Sequence, residues 1–147
     1  MKLGHIHLKV RDLQRSIEFY RRHLGLQVTE QVGEALAFLS AGSMHHELAL
    51  REVGPQATAP RRGDVGLYHV AFEVTDRQEL GRIYRGLRRE GIPVHAVDHR
   101  ISWALYCADP DGNGLEVYWD IRRTAHGVEH WQGIERPLDT RQFDHTG

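Results

Sequence analysis

The feature that most restricts the fold of this chain is an internal repeat. Residues 5–12 read HIHLKVRD and residues 69–76 read HVAFEVTD, so one pattern returns 64 positions later. Each copy begins with histidine, alternates apolar with polar residues and ends with aspartate. A period of two is typical of a β-strand with one covered face. The repeat therefore predicts two equivalent strands, each opening a similar structural unit.

An amphipathic helix is predicted after each repeated strand. Apolar residues recur there at three- and four-residue spacing, which is the period of a helix with one buried face. Asp12 and Asp76 stand at the N-cap positions, and Glu79 completes a pattern that resembles a capping box. Gly25 and Gly91 follow as C-terminal stop signals. Each helix is therefore expected to begin and end at defined residues.

Short strand-like runs follow each helix. They cover residues 27–32, 35–40 and 46–52 in the first copy, and 93–97, 102–107 and 114–119 in the second. The segment 53–66 contains two prolines and no periodicity, so we interpret it as the linker between the copies. Because the strands cluster after each helix, the pattern favours an α+β fold with a mixed, largely antiparallel sheet and helices on one face.

The chain is long enough for one compact domain with a hydrophobic core, at 147 residues. We expect that domain to cover residues 1–122, with modules at 1–53 and 66–122 and an extended tail over 123–147. Its net charge of −1 gives no field that would attract nucleic acid or a membrane. A single cysteine excludes an intramolecular disulfide. Neither a signal peptide nor a membrane span is recognisable, so we expect a cytoplasmic protein.

Alternation places two histidines and one glutamate away from the apolar faces of the predicted strands. His5 and His69 occupy equivalent positions in the repeat, and Glu116 leaves the apolar side of the last strand. Two imidazoles and one carboxylate form a donor set typical of divalent metals with open coordination positions. The three residues are far apart in sequence and form no local motif. Surface histidines and a solvent-facing carboxylate therefore remain the alternative.

Much of the chain resembles the vicinal oxygen chelate superfamily, which includes glyoxalase I, fosfomycin resistance proteins, bleomycin-binding proteins and type I extradiol dioxygenases. The similar segments are GHIHLKVRDLQRSIEFYRRHLGL, LYHVAFEV and LYCADPDGNGLEVYWD, within residues 3–120. The resemblance implies two βαβββ modules that form a cupped mixed sheet with helices on the outer face. It also implies that His5, His69 and Glu116 are the metal ligands.

Within that superfamily, the segment 98–120 is similar to catechol 2,3-dioxygenase-like proteins of a single domain. The resemblance implies that Tyr106, ten residues before the glutamate ligand, contacts the substrate. It implies a second substrate contact for His99 and an acid–base role for His46, in the stretch SMHHELAL.

The stretch SMHHELAL leaves two chemistries open. If it alternates as a strand, His46 shares the apolar face with Leu48, whereas His45 and Glu47 face the metal. Glyoxalase I members use a glutamate on this strand as a fourth metal ligand, so Glu47 would then indicate a lyase or isomerase. His46 indicates a dioxygenase instead.

These features favour an Fe(II)-dependent extradiol ring-cleaving dioxygenase of aromatic catabolism, which acts on a small catechol-like molecule with O2. A glyoxalase-type lyase or isomerase with Ni(II) or Zn(II) is the first alternative, and Mn(II) is a further alternative for the metal. A non-catalytic binder of small molecules is the second, although the three metal residues argue against it. We expect a homo-oligomer, a dimer in the simplest case, without nucleic acid or membrane partners. Phe38 and Trp103 are candidate pocket residues.

Overall fold

The computed structural model describes residues 1–59, 61 and 63–144. The chain divides into two compact units. Unit 1 comprises Met1–Gly66 together with Asp109–Asn113, and unit 2 comprises Leu67–Ala108 together with Gly114–Gly147. Each unit has its own sheet and its own α-helix. None of the helices formed by the described residues is long and apolar enough to cross a membrane.

Unit 1 is a four-stranded sheet with one helix. Its elements are β1 (Ile6–Val10), α1 (Leu13–Leu24), β2 (Gln27–Val32), β3 (Leu36–Ser40) and β4 (Leu48–Glu52). The strand order is β1-β4-β3-β2, in which β1 and β4 are parallel and the other pairs are antiparallel. Helix α1 packs on β3 and β4 with its apolar face. The polar side of β1, which includes His7, stays exposed.

Unit 2 repeats this arrangement with an additional edge. Its elements are β5 (Val70–Val74), α2 (Arg77–Arg89), β6 (His95–Asp98), β7 (Ser102–Ala108), β8 (Gly114–Asp120), β9 (Arg136–Pro137) and a 3-10 helix (Thr140–Asp144). The strand order is β5-β8-β7-β6-β9, and β5 and β8 are parallel. In both units the first strand pairs with the last strand of the βαβββ module. The predicted mixed α+β architecture is therefore confirmed, with one sheet in each unit.

The predicted helix ends are also observed. The Asp12 side chain accepts the Arg15 N–H at 2.9 Å, and Gly25 ends α1 with φ of 72°. Asp76 accepts the Glu79 N–H at 2.8 Å at the start of α2. The Glu79 carboxylate reaches the Thr75 N–H rather than that of Asp76, so the capping box is displaced by one residue. Such local hydrogen bonds satisfy N–H groups that have no partner within a helix.

Two predicted strands begin later than expected. Residues 46 and 47 precede β4, and residues 93 and 94 precede β6. Pro93 has no N–H to donate to a neighbouring strand, which accounts for the second difference. The described residues of the linker 53–66 contain no helix or strand.

Part of the predicted tail, within residues 136–144, forms a short strand and a 3-10 helix. Pro137 of β9 pairs with Val97 of β6, and the Phe143 ring lies 5.4 Å from the Tyr84 ring of α2. Phe143 also packs against Gly81, where a Cβ atom would come within 2.8 Å of the Phe143 Cβ. The apolar residues of the tail are too far apart to form a periodic pattern, so the sequence did not predict this packing. Residues 145–147 lie outside the described part of the chain.

The turn between β7 and β8, residues 109–113, is held within unit 1. Asp109 is 5% exposed, and its Oδ2 accepts the Tyr20 hydroxyl at 2.9 Å. The Asp111 carboxylate accepts hydrogen bonds from the Arg11 and Arg15 guanidinium groups at 3.2 and 2.8 Å. This cluster explains why the compact units differ from the contiguous modules 1–53 and 66–122 that the sequence predicted.

Candidate functional site

Unit 2 joins four of the predicted site residues into one hydrogen-bonded chain. The His69 Nε2 lies 3.0 Å from the Glu116 Oε2. The Tyr106 hydroxyl donates to the Glu116 Oε1 at 2.9 Å, and the His99 Nε2 lies 2.8 Å from the Tyr106 oxygen. A tyrosine hydroxyl has only one hydrogen, so His99 must be the donor to Tyr106. The chain therefore runs His99, Tyr106, Glu116 and His69.

Strand register explains how these residues meet. Tyr106 of β7 lies directly opposite Glu116 of β8 in an antiparallel pair, and opposed residues share one face of a sheet. Ala71 of β5 is the parallel partner of Glu116, so His69, two residues earlier, precedes β5 on the same side. Gly114 permits this approach because a Cβ atom there would collide with the Tyr68 carbonyl oxygen. The site thus depends on a position that tolerates only glycine.

The environment keeps Tyr106 protonated. Burial, followed by the hydrogen bond to Glu116 and the negative charge of that residue, raises the pKa of Tyr106 well above its ordinary value. The Nδ1 atoms of His69 and His99 are buried and have no hydrogen-bond partner among the described residues. Tyr106 therefore acts as a neutral donor to the carboxylate at cellular pH.

Two side chains from the tail lie beside His99, and the sequence analysis assigned no role to either. The Trp131 ring lies edge-on to the His99 ring, with 5.8 Å between centroids. The Glu135 Oε1 lies 3.9 Å from the His99 Nδ1. Neither residue belongs to a repeat or motif, so only the fold reveals their proximity to His99.

The donor pair of unit 2 is chemically suited to a divalent metal. Two ligand atoms that share an ion at about 2.1 Å each, with an angle near 90° between them, stand about 3 Å apart. The His69 and Glu116 atoms are separated by this distance. Among residues 1–59, 61 and 63–144, however, no three His, Cys, Asp or Glu side chains are grouped to hold an ion. His5, the other predicted ligand, belongs to unit 1.

Unit 1 contains a second cluster of predicted site residues. The His46 ring lies 4.5 Å from the His5 ring and 4.6 Å from the Phe38 ring, measured between centroids. The His45 Nδ1 lies 2.9 Å from the His46 Nδ1, and the His45 Nε2 lies 3.2 Å from the Glu30 Oε2. The structure therefore brings together two residues that the resemblance selected, His5 and His46, with the candidate pocket residue Phe38.

The choice between His46 and Glu47 depends on where β4 begins. β4 starts at Leu48, although the Glu47 backbone still bonds to Leu39 and Ile6, so the orientation of Glu47 toward the metal side stays a prediction. The Glu47 carboxylate accepts the Ala41 N–H at 3.0 Å. Burial, followed by the charges of His5 and His45, lowers the pKa of His46 from its ordinary 6.5. The neutral form of His46 is therefore favoured more than that of a free histidine.

The prediction that Trp103 lines the pocket was wrong. Trp103 is 2% exposed and packs edge-on against Trp119, with 5.5 Å between ring centroids. It is three residues from Tyr106 on the same strand, and an odd separation places side chains on opposite faces. Trp103 is therefore part of the hydrophobic core of unit 2.

The protein has two βαβββ units, and in each of them the first and last strands pair in parallel. The model of the Glyoxalase/Bleomycin resistance protein/Dioxygenase superfamily matches residues 2–117, and the chain belongs to this superfamily.

Known relatives are similar over most of this chain. Catechol-2,3-dioxygenase of Bacillus subtilis (strain 168) is 39% identical over 123 residues, which cover 84% of this chain and 43% of that protein. Biphenyl-2,3-diol 1,2-dioxygenase 3 of Rhodococcus globerulus is 33% identical, with coverages of 95% and 74%. The solved structure of a glyoxalase/dioxygenase from Nostoc punctiforme has a TM-score of 0.69 at 26% identity, with coverages of 81% and 90%. The chain thus spans less than half the length of the Bacillus relative.

Proposed function

We propose that this protein is an Fe(II)-dependent extradiol dioxygenase that cleaves a small catechol-like aromatic with O2. The observation that carries the proposal is the hydrogen-bonded chain of His99, Tyr106, Glu116 and His69. These hydrogen bonds connect Tyr106 and His99, which can bind substrate hydroxyls, to a pair of donors that suit divalent iron. The two donors are His69 and Glu116. The names of the two dioxygenase relatives agree with this chemistry.

His69 and Glu116 are the proposed iron donors in unit 2, and His5 is the third donor that the resemblance implies. Two imidazoles and one carboxylate leave adjacent coordination positions free on Fe(II), as in other non-haem iron oxygenases. When bound, the ion would supply the electron exchange between substrate and O2 that these side chains cannot perform. The residues themselves orient the substrate and handle its protons.

Tyr106 and His99 are proposed to bind the substrate hydroxyls. Tyr106 donates its hydrogen to Glu116 and accepts one from His99, so its oxygen keeps one lone pair for a substrate O–H. Because the raised pKa of Tyr106 keeps the phenol neutral, this contact adds no negative charge beside Glu116.

His46 is proposed as the acid–base residue. Its lowered pKa leaves the imidazole neutral and able to accept a proton from the substrate, and the resulting imidazolium can return that proton later. The competing lyase or isomerase needs the Glu47 carboxylate as a metal ligand. The Glu47 Oε2 accepts the Ala41 N–H, which holds this carboxylate beside residue 41 and supports the dioxygenase.

The test is anaerobic loading of the full chain with Fe(II), followed by metal analysis and measurement of O2 uptake with a panel of catechols. We expect at least one catechol to consume O2 and to give a ring-opened, absorbing product. Parallel loading with Mn(II), Ni(II) and Zn(II) identifies the active ion. Bound iron without uptake on any catechol would contradict the proposal and favour the isomerase.

Glu116→Gln is the corresponding variant. Mutation of a residue that only supports a metal ligand typically lowers metal affinity about 10–100-fold. Loss of a carboxylate that binds iron directly should lower the affinity by more than this. Glu73→Gln is the matched control, since Glu73 lies in β5 of the same sheet and bonds Tyr118 instead. Equal iron affinity in the two variants would remove Glu116 from the proposed site.

A further inference from the structure

Three side chains of unit 1, Glu30, His45 and His46, form a continuous run of polar contacts. We propose that Glu30 and His45 are positioning residues that hold neutral His46 in the tautomer whose Nε2 is unprotonated. In this form Nε2 is the atom that accepts the substrate proton. The inference rests on the proposed acid–base role of His46, and it adds the residues that make that role possible.

The first step concerns the hydrogen on His45. The His45 Nε2 lies 3.2 Å from the Glu30 Oε2, and an ionised carboxylate can only accept a hydrogen bond. In the neutral form of His45, the one ring hydrogen is therefore on Nε2. Its Nδ1 is left with a lone pair and can only accept.

The second step follows from the contact between the two rings. The Nδ1 atoms of His45 and His46 are 2.9 Å apart, so one hydrogen lies between them. Because the His45 Nδ1 accepts, the hydrogen belongs to the His46 Nδ1. Neutral His46 has only this one ring hydrogen, and its Nε2 is free to take up a proton. A carboxylate that fixes a histidine tautomer is a common arrangement at catalytic and metal sites.

A bulge in β2 directs Glu30 to this position. Val28 pairs with Leu39 and Glu30 pairs with Phe38, so Thr29 is an extra residue in the ladder. Without it, Glu30 would pair with Ala37, a fully buried position on the helix-covered face. With the bulge, Glu30 shares the face of Phe38, whose ring contacts both His45 and His46. The position of the carboxylate is therefore built into the strand.

Ring contacts hold the rest of the arrangement in place. The His46 ring lies between those of His5 and Phe38, at centroid distances of 4.5 and 4.6 Å, and the His45 ring lies 5.6 Å from Phe38. His45 and Glu30 are both more than half exposed, so packing against Phe38 is what limits the freedom of the His45 ring.

The test is NMR of the metal-free protein labelled with ¹⁵N-histidine, at a pH where His45 and His46 are both neutral. Long-range ¹⁵N–¹H correlations distinguish protonated from unprotonated ring nitrogens, and His46→Gln assigns the His46 signals. We expect an unprotonated Nε2 in the unaltered protein. A protonated Nε2 there would overturn the proposal without the need for any variant.

Variants then test the two positioning residues. His45→Phe keeps a ring against Phe38 but removes the acceptor, and Glu30→Ala removes the carboxylate; both should raise the Nε2-protonated fraction of His46 several-fold. Glu30→Gln should retain the tautomer because its amide oxygen can accept the same hydrogen bond. Glu34→Gln, an exposed glutamate in the turn after β2, is the control and should have no effect. An unchanged tautomer in His45→Phe would also overturn the proposal.

Kinetics of the iron-loaded protein separates this inference from the proposed function. Glu30→Ala should lower kcat at least threefold with little change in KM, well short of the loss of about 10²-fold or more expected for His46→Gln. Absence of catechol-dependent O2 uptake in the unaltered protein would refute the dioxygenase while the NMR result still decides the tautomer. An unchanged kcat in Glu30→Ala, in an active enzyme, would refute the positioning role.

Discussion

The two units have the same strand order but hold their functional residues in different ways. In unit 2, Tyr106 and Glu116 are fixed by strand register, and their side chains are hydrogen-bonded to each other. In unit 1, His45 and His46 lie in the segment before β4 and are held by ring contacts and an exposed carboxylate. A repeated fold therefore supplies equivalent frameworks, while the local element decides how rigidly each group is held. Groups on strands are positioned more precisely than groups on loops.

The largest effect is expected from breaking the attachment of residues 109–113 to unit 1. Asp109→Ala removes a buried acceptor of four hydrogen bonds, including that of Tyr20, and leaves their donors unpaired. We expect a loss of about 3–5 kcal/mol in the free energy of unfolding, measured with urea. Tyr20→Phe, which removes only one hydroxyl, should cost about 0.5–1.5 kcal/mol. Equal losses in the two variants would show that the three hydrogen bonds within the turn add nothing to the bond from Tyr20.

The tail of unit 2 gives the next effect. Phe143→Ala removes the ring that packs on Gly81 and Tyr84 and should cost about 2–4 kcal/mol, somewhat less than a fully enclosed phenylalanine. Hydrogen exchange should accelerate in residues 136–144 and remain unchanged in β1 and β4. Faster exchange throughout unit 1 would mean that the tail stabilises more than its own unit.

The rigid site of unit 2 is tested by Tyr106→Phe. Loss of a hydrogen bond to a charged carboxylate is worth about 1.5–3 kcal/mol, so kcat/KM should fall roughly 10–100-fold. Tyr118, two residues after Glu116 on β8, donates a similar hydrogen bond to Glu73 of β5. Tyr118→Phe removes that bond and should leave kcat/KM within about twofold. Similar losses in both variants would indicate that the whole open face, rather than the chain through Tyr106, supports turnover.

The smallest effect is a pH dependence confined to alkaline conditions. Burial, followed by the hydrogen bond to Glu73, raises the pKa of Tyr118 from 10.0 to about 12. The folded state thus keeps a proton that the unfolded state loses. The contribution of Tyr118 to stability is complete below pH 10 and declines as pH rises through about 12. Tyr118→Phe should flatten this decline, measured by urea unfolding and by tyrosinate absorbance; an unaltered decline would assign it to other groups.

Sequence patterns predicted the framework because its signals are local. The caps at Asp12 and Asp76 and the stop at Gly25 are read from neighbouring residues, and the repeat identifies His5 and His69 as equivalent. The turn at 109–113 brings β7 back against β8, so the spacing of Tyr106 and Glu116 already determines that they lie opposite each other.

The remaining features depend on pairing between distant segments. The bulge at Thr29 becomes visible only when β2 is aligned with β3, and it reverses the face on which Glu30 lies. The late start of β4 removes His46 from strand alternation, which is why the sequence could not choose between His46 and Glu47. The partners of Phe143 are far along the chain, so no local period revealed that the tail is packed.

The bulge in β2 also has a consequence for solubility. This strand is an edge strand of the unit 1 sheet, and all of its residues are exposed. Val28 and Val32 add apolar surface to that edge. A regular, uncharged edge strand can pair with strands of other molecules and start aggregation. The bulge at Thr29 and the charge of Glu30 interrupt this edge. Deletion of Thr29 should therefore have two effects: the protein should aggregate more readily, and the Glu30 side chain should move to the opposite face of the sheet.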